Sequence, residues 1–255
     1  MAQNASAGIQ LCDLEECIHE SPTVTAVHAG NRNAKSAHGR RRMNTLVHPS
    51  DIAFTPTVKA IQTRKGSRAA YARMEQSGGW QTQITPELRE FIEAQTSVFL
   101  ATANAEGQPY IQHRGGPAGF LRVLDEHTIG FVDFVGNRQY ITAGNLAENP
   151  KVHLFLMDYA HQQRIKIWGE AHAVENDAEL TAQLMPADYK ARAAQVILLT
   201  VAAWDANCPQ HIPQLIAAGD VANALAERDA RIRSLEIELH KLRTSEGAPG
   251  PRTHI

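Results

Sequence analysis

Apolar and polar positions alternate with two different periods along this chain. From Ser97 onward, short β-rich runs follow one another: SVFLATAN, PYIQHRG, His127 to Phe134, Val152 to Asp158, Arg164 to Val174 and Gln195 to Trp204. A period of two is that of a strand with one buried face, so each run predicts a strand, and Glu106-Gly107 between the first two predicts a hairpin. A period near 3.6 appears in ITPELREFIEAQ, where Leu88, Phe91 and Ile92 form a stripe. Thr85 is its N-cap and Pro86 its first helical residue. TVKAIQTRKGSRAAYARME reads as a helix interrupted near Gly66, TAGNLAEN as a short helix between the third and fourth β runs, and DAELTAQLMPADYKARA as helical cover before the last strand. Five or six closely spaced strands with few helices between them predict a mainly β fold with peripheral helices, closed as an antiparallel barrel rather than doubly wound.

The two ends have other textures. Residues 1–45 are rich in Ala, Asn, Ser, Gly and His, show no sustained period and carry the basic cluster GRRR just before Met43. Such a segment buries too little apolar surface to offset its ordering entropy, and the expectation is disorder. The organisation read from these textures is a disordered segment 1–45, a helical extension 46–83, a barrel domain 84–218, a C-terminal helix 219–243 and a tail 244–255. In that helix Val221, Leu225, Ile232, Leu235, Leu239 and Leu242 follow a 4,3 alternation broken only at Arg228. Such a stripe serves either a coiled-coil seam or packing back onto the barrel, and both readings stand.

Composition narrows the function classes. A net charge of −2 over 255 residues gives no general basic field, so no nucleic-acid partner is expected. No run approaches the roughly 18 apolar residues of a membrane span and the N-terminus lacks a secretory pattern, which makes the cytoplasm the expected location and a membrane partner unexpected. Cys12, Cys17 and Cys208 form no CxxC pair and the twelve histidines no HExxH, so neither a disulfide framework nor a metal site is expected.

Three polar clusters interrupt the β runs. Asn137, Arg138 and Gln139 follow Gly136 where a helix begins, and a helix start offers free backbone N–H groups and a positive dipole end to an anion. The plainer reading is a solvated loop. His113 and Arg114 end a strand before paired glycines, and Arg164 and Lys166 alternate with Ile165 and Ile167 on a strand with one basic face. Together these cations suit a phosphate. Past Trp204, Pro209 and Pro213 bracket Gln210 and His211, with Cys208 just before: either scaffold, or a loop that completes a ligand pocket with His211 as proton donor and Cys208 beside it.

In order and spacing, the entry helix, the hairpin FLATANAEGQPYIQHRGG, the strand–GNRQY–helix–AENP–strand unit and the RIKIWGEA strand resemble the pyridoxamine 5'-phosphate oxidase-like proteins, the FMN-binding split β-barrels of antiparallel, Greek-key type. The resemblance runs from about Ile84 to Ile212 and implies FMN as cofactor, a homodimer, and oxidoreductase activity on a small organic substrate with oxygen or a nicotinamide as redox partner. Carried over, it gives Asn137, Arg138 and Gln139 the FMN phosphate, puts His113 and Arg114 beside the cofactor, and sets Arg164, with Lys166 on the same strand, where the family commonly has a glutamine near the flavin. No counterpart of the vitamin B6 oxidases' Arg-x-His substrate pair is present, so the chain resembles the broader flavin-binding branch whose substrates are often unassigned. FMN is expected rather than FAD because no GxGxxG turn cradles a pyrophosphate. The alternatives are a flavin carrier or sensor without turnover and, less favoured, a haem-binding barrel.

Overall fold

The computed structural model describes residues 47–206 and 209–246. The segment 1–45, Cys208 and most of the tail lie outside the described residues. The chain divides into two compact units, one running to Asp158 and resuming over Gln163–Pro209, the other formed by Tyr159–Gln162 and the chain from Gln210 on.

The first unit is built on one seven-stranded sheet: β1 (Ser97–Ala103), β2 (Pro109–Gly115), β3 (Leu121–Val123), β4 (Thr128–Phe134), β5 (Lys151–Asp158), β6 (Gln163–Val174) and β7 (Ala193–Ala206). Their order is β2-β1-β5-β6-β7-β4-β3 and every pairing is antiparallel. Strand β4 lies beside β7 rather than β5, so β4 to β7 form a Greek key, and the expected antiparallel split-barrel architecture is the one observed. The inward set Val98, Leu100, Phe131, Leu154, Ile167 and Leu199 is buried, as period two requires. The sheet curls until its two margins meet through side chains, with Arg114 Nε of β2 2.8 Å from Asp133 Oδ1 of β4.

Helix α3 (Pro86–Glu93) starts as the sequence dictates: Thr85 Oγ1 accepts from Leu88 N at 3.2 Å, Pro86 follows, and Leu88 and Ile92 are fully buried. In the extension, α1 (Pro56–Lys65) ends at Gly66 in the left-handed region with φ 85°, and α2 (Arg68–Gln76) follows. Trp80 then stacks on Trp168 of β6 with ring centroids 4.4 Å apart, and Phe54 packs on Trp80. Glu75 is buried among Arg68, Lys59 and Ser50.

Two expectations need correction. The described residues form seven strands, not five or six, because the three-residue β3 is too short to show a period. The helical cover before β7 shrinks to α5 (Ala178–Leu184), since Met185 precedes Pro186 and is extended with ψ 124°. Strand β7 also carries two irregularities, its register shifting once opposite Asp133/Phe134 and once opposite Trp168/Gly169.

In the second unit, Gln162 Nε2 donates to Ile212 O at 2.7 Å and Gln214 Nε2 to Ala160 O at 3.0 Å, and α6 (Ala218–Glu246) follows. No described helix is long and apolar enough to cross a membrane.

Candidate functional site

A cleft of about 520 Å³ opens in the first unit where β2, the turn that follows β4 and the start of β7 converge. Strand β2 sends Tyr110, Gln112 and Arg114 into it, every second residue, while Ile111 and His113 lie on the opposite face. Between β4 and α4 (Ile141–Glu148) the turn runs through Gly136, Asn137, Arg138, Gln139 and Tyr140, all lining the cleft. Arg138 and Tyr140 are left-handed, with φ 60° and 57°. Their side chains meet, Arg138 Nε donating to Tyr140 Oη at 3.1 Å, and this hydrogen bond raises the Arg138 pKa further above its usual value.

The N-terminus of α4 faces the same space. Its N-cap, Tyr140, makes no side-chain capping hydrogen bond to the helix backbone, and Ile141, Thr142 and Ala143 line the cleft. Uncapped N–H groups at a helix start, with the dipole behind them, form an anion site, and two guanidinium groups stand beside this one. Arg114 is held in place: beyond its ion pair with Asp133, its Nη2 lies 3.2 Å from Thr142 Oγ1. Asp133 also accepts from Gln195 Nε2 at 3.1 Å. Those partners meet because β7 bulges opposite Asp133/Phe134, turning the start of β7 into the cleft.

Of the sequence-derived candidates, the structure therefore gathers Arg114, Asn137, Arg138 and Gln139 around one cavity. His113 is exposed on the far face of β2, where it meets Ser97 Oγ at 2.9 Å and the edge of Phe99. Arg164 and Lys166 do not line the cleft. Lys166 pairs with Asp205 Oδ2 at 3.3 Å, its cross-strand neighbour, and its ammonium lies over the Trp80 and Trp168 rings. The buried Nε of Arg164 has no hydrogen-bond partner. His211, exposed and left-handed with φ 64°, belongs to the second unit, and Cys208 lies outside the described residues. Sequence reasoning passed over Asp133, Thr142 and Gln195. The one available signal was Asp133 itself, a carboxylate inside the apolar run FVDF.

These features sit on a stretch that can be compared with known proteins. A family model described as pyridoxamine 5'-phosphate oxidase matches residues 84–208. Over that stretch, just under half of the chain, the barrel is similar to the pyridoxamine 5'-phosphate oxidase-like family. Solved structures of similar fold include HupZ of Group A Streptococcus, at 19% identity over 52% of this chain and 99% of that one with a TM-score of 0.39. An FMN-binding protein from Syntrophomonas wolfei is 14% identical over 60% of this chain and 97% of its own, with a TM-score of 0.36. HutZ, a haem storage protein from Vibrio cholerae, is 20% identical over 47% and 90% respectively, with a TM-score of 0.32. No curated protein matches the chain.

Away from the cleft, the barrel carries a second perturbed group. Burial first, and the nearby Lys166 charge second, lower the pKa of His153 to about 4. Its ring packs against Trp168 at 4.8 Å. The folded protein thus holds His153 neutral where the unfolded chain, with an ordinary pKa near 6.5, takes up a proton. Stability contributed by the neutral ring is complete above pH ~6.5 and declines as pH falls toward ~4. Asp205, raised by burial against the opposing effect of Lys166, gives a slope of opposite sign above its ordinary value. His153→Phe isolates the first effect: the difference between variant and wild-type urea stability should change by on the order of 2 kcal/mol between pH 6.5 and 4, in favour of the variant at low pH. A difference constant across that range would show His153 to titrate alike in both states.

Proposed function

We propose that the barrel binds FMN and acts as an FMN-dependent oxidoreductase on a small organic substrate, with oxygen or a nicotinamide as redox partner. The observation that carries this reading is the convergence of Arg114, Arg138 and the uncapped N-terminus of α4 on one cleft. The residues present fit a terminal phosphate: the three cations Arg114, Arg138 and Arg192, amides at Asn137 and Gln139, the Thr142 hydroxyl and free backbone N–H groups. The cleft volume falls within the roughly 300–1,000 Å³ of small-molecule sites. The flavin would supply hydride and single-electron chemistry. The chain's part is to fix the phosphate through the 136–142 segment, and to place the β2 side chains Tyr110 and Gln112 along the same wall.

Titration with FMN tests the assignment. Arg138→Ala should weaken binding about 30-fold, as expected for a lost charge-assisted hydrogen bond, while the far-UV spectrum stays that of the wild type. Unchanged affinity would remove Arg138 from the site. Turnover is tested separately, by anaerobic reduction of the loaded protein with NADH or NADPH followed by oxygen uptake; FMN held tightly without either reaction would make the protein a flavin carrier.

A further inference from the structure

Helix α6 spans 29 residues, and its apolar stripe lies in the open: Val221, Leu225, Ile232, Leu235 and Leu239 are 44–53% exposed. In heptad terms Leu225, Ile232 and Leu239 occupy a positions, and Val221, Arg228 and Leu235 occupy d positions. Of the exposed large apolar residues of α6, only Ile237 lies off this seam.

We propose that α6 pairs with α6 of a second copy of this chain as a parallel, in-register, two-stranded coiled coil. The flanking charges select both the occupant and the orientation. Arg231 and Glu238 stand at g positions, Asp229, Glu236 and Arg243 at e positions. A parallel pair sets each g residue against the e residue of the next heptad, so Arg231 faces Glu236 and Glu238 faces Arg243 of the second copy, each contact occurring twice by symmetry. An antiparallel pair sets g against g and e against e. It keeps the attraction of Arg231 for Glu238 but brings Asp229 against Glu236, carboxylate to carboxylate. Arg228 fits the parallel arrangement as well, because a d side chain borders the e residue of the opposite helix, here Asp229. A charged residue at one d position lowers stability and fixes the register. Three heptads give a weak pair by themselves, so the seam adds to whatever other contact joins the two copies.

The full chain tests this, with Cys12, Cys17 and Cys208 replaced by serine and one spin label at Ala230→Cys or Thr244→Cys, both exposed f positions. In the parallel pair both sites give one narrow label-to-label distance of roughly 20–30 Å. An antiparallel pair spreads the Thr244 labels to roughly 40 Å, and a dimer joined only elsewhere leaves both distributions broad; either result overturns the proposal. Arg231→Glu should lower the fraction of paired helices as if association had weakened about tenfold. Adding Glu236→Arg to that variant restores the opposite-charge contact between positions 231 and 236 that the parallel register requires, and failure of this rescue would also overturn the proposal.

Discussion

Gly169→Ala should destabilise the barrel by about 3 kcal/mol or more, the range of overpacking in a site that cannot relax. A Cβ added at Gly169 would lie 2.1 Å from the carbonyl oxygen of Thr200, backbone against backbone across β6 and β7. The neighbour is not a flexible side-chain end, so the clash is relieved only by parting the strands. This is where β7 shifts register opposite Trp168/Gly169, and the bulge brings the two chains that close. Gly130→Ala is the useful contrast: its new methyl would meet the ends of Leu184, Leu198 and Leu124 at 3.1–3.2 Å, atoms that can rotate away. Urea midpoints of the two variants should differ clearly, and a Gly169→Ala midpoint equal to wild type would show that the bulge opens at little cost.

Arg114→Ala should cost about 3 kcal/mol in stability, the penalty of stranding a nearly buried carboxylate. The Asp133 side chain is 14% exposed, and without Arg114 only Gln195 Nε2 still donates to it. Asp133→Asn in the same background removes the stranded charge and should recover most of the loss, so a thermodynamic cycle over the two sites should return a coupling on the order of 2 kcal/mol. FMN affinity separates the roles: it should stay low in the double variant, which has regained stability without regaining the cation. Additive effects of the two substitutions would mean that Arg114 and Asp133 do not depend on one another.

What the sequence revealed were the features decided locally. The β1–β2 turn formed with Gly107 at φ 88°, the Thr85-Pro86 start of α3 and the stop at Gly66 each follow from a few adjacent residues. The turn from Gly136 to Tyr140 was legible as a place where a helix start meets a guanidinium, and that is how it is built. The counter-charges were not legible. Arg114 meets Asp133 only because the sheet curls, and the basic face expected on β6 is half neutralised because Lys166 falls opposite Asp205 in the β6–β7 register. Strand alternation gives the face of a side chain but not its neighbour across the ladder, so His113 and Arg114, adjacent in sequence, end on opposite faces of β2.

The placement of the tryptophans has an optical consequence. All three of the chain's indoles sit at one joint: Trp80 lies face to face with Trp168, and Trp204 donates through Nε1 to Gln83 O at 2.8 Å. Intrinsic fluorescence therefore watches the extension's attachment to the barrel, whereas far-UV circular dichroism sums over every strand and helix. The two signals coincide during denaturation only if extension and barrel let go together, which makes their overlay a label-free measure of how cooperative this protein is.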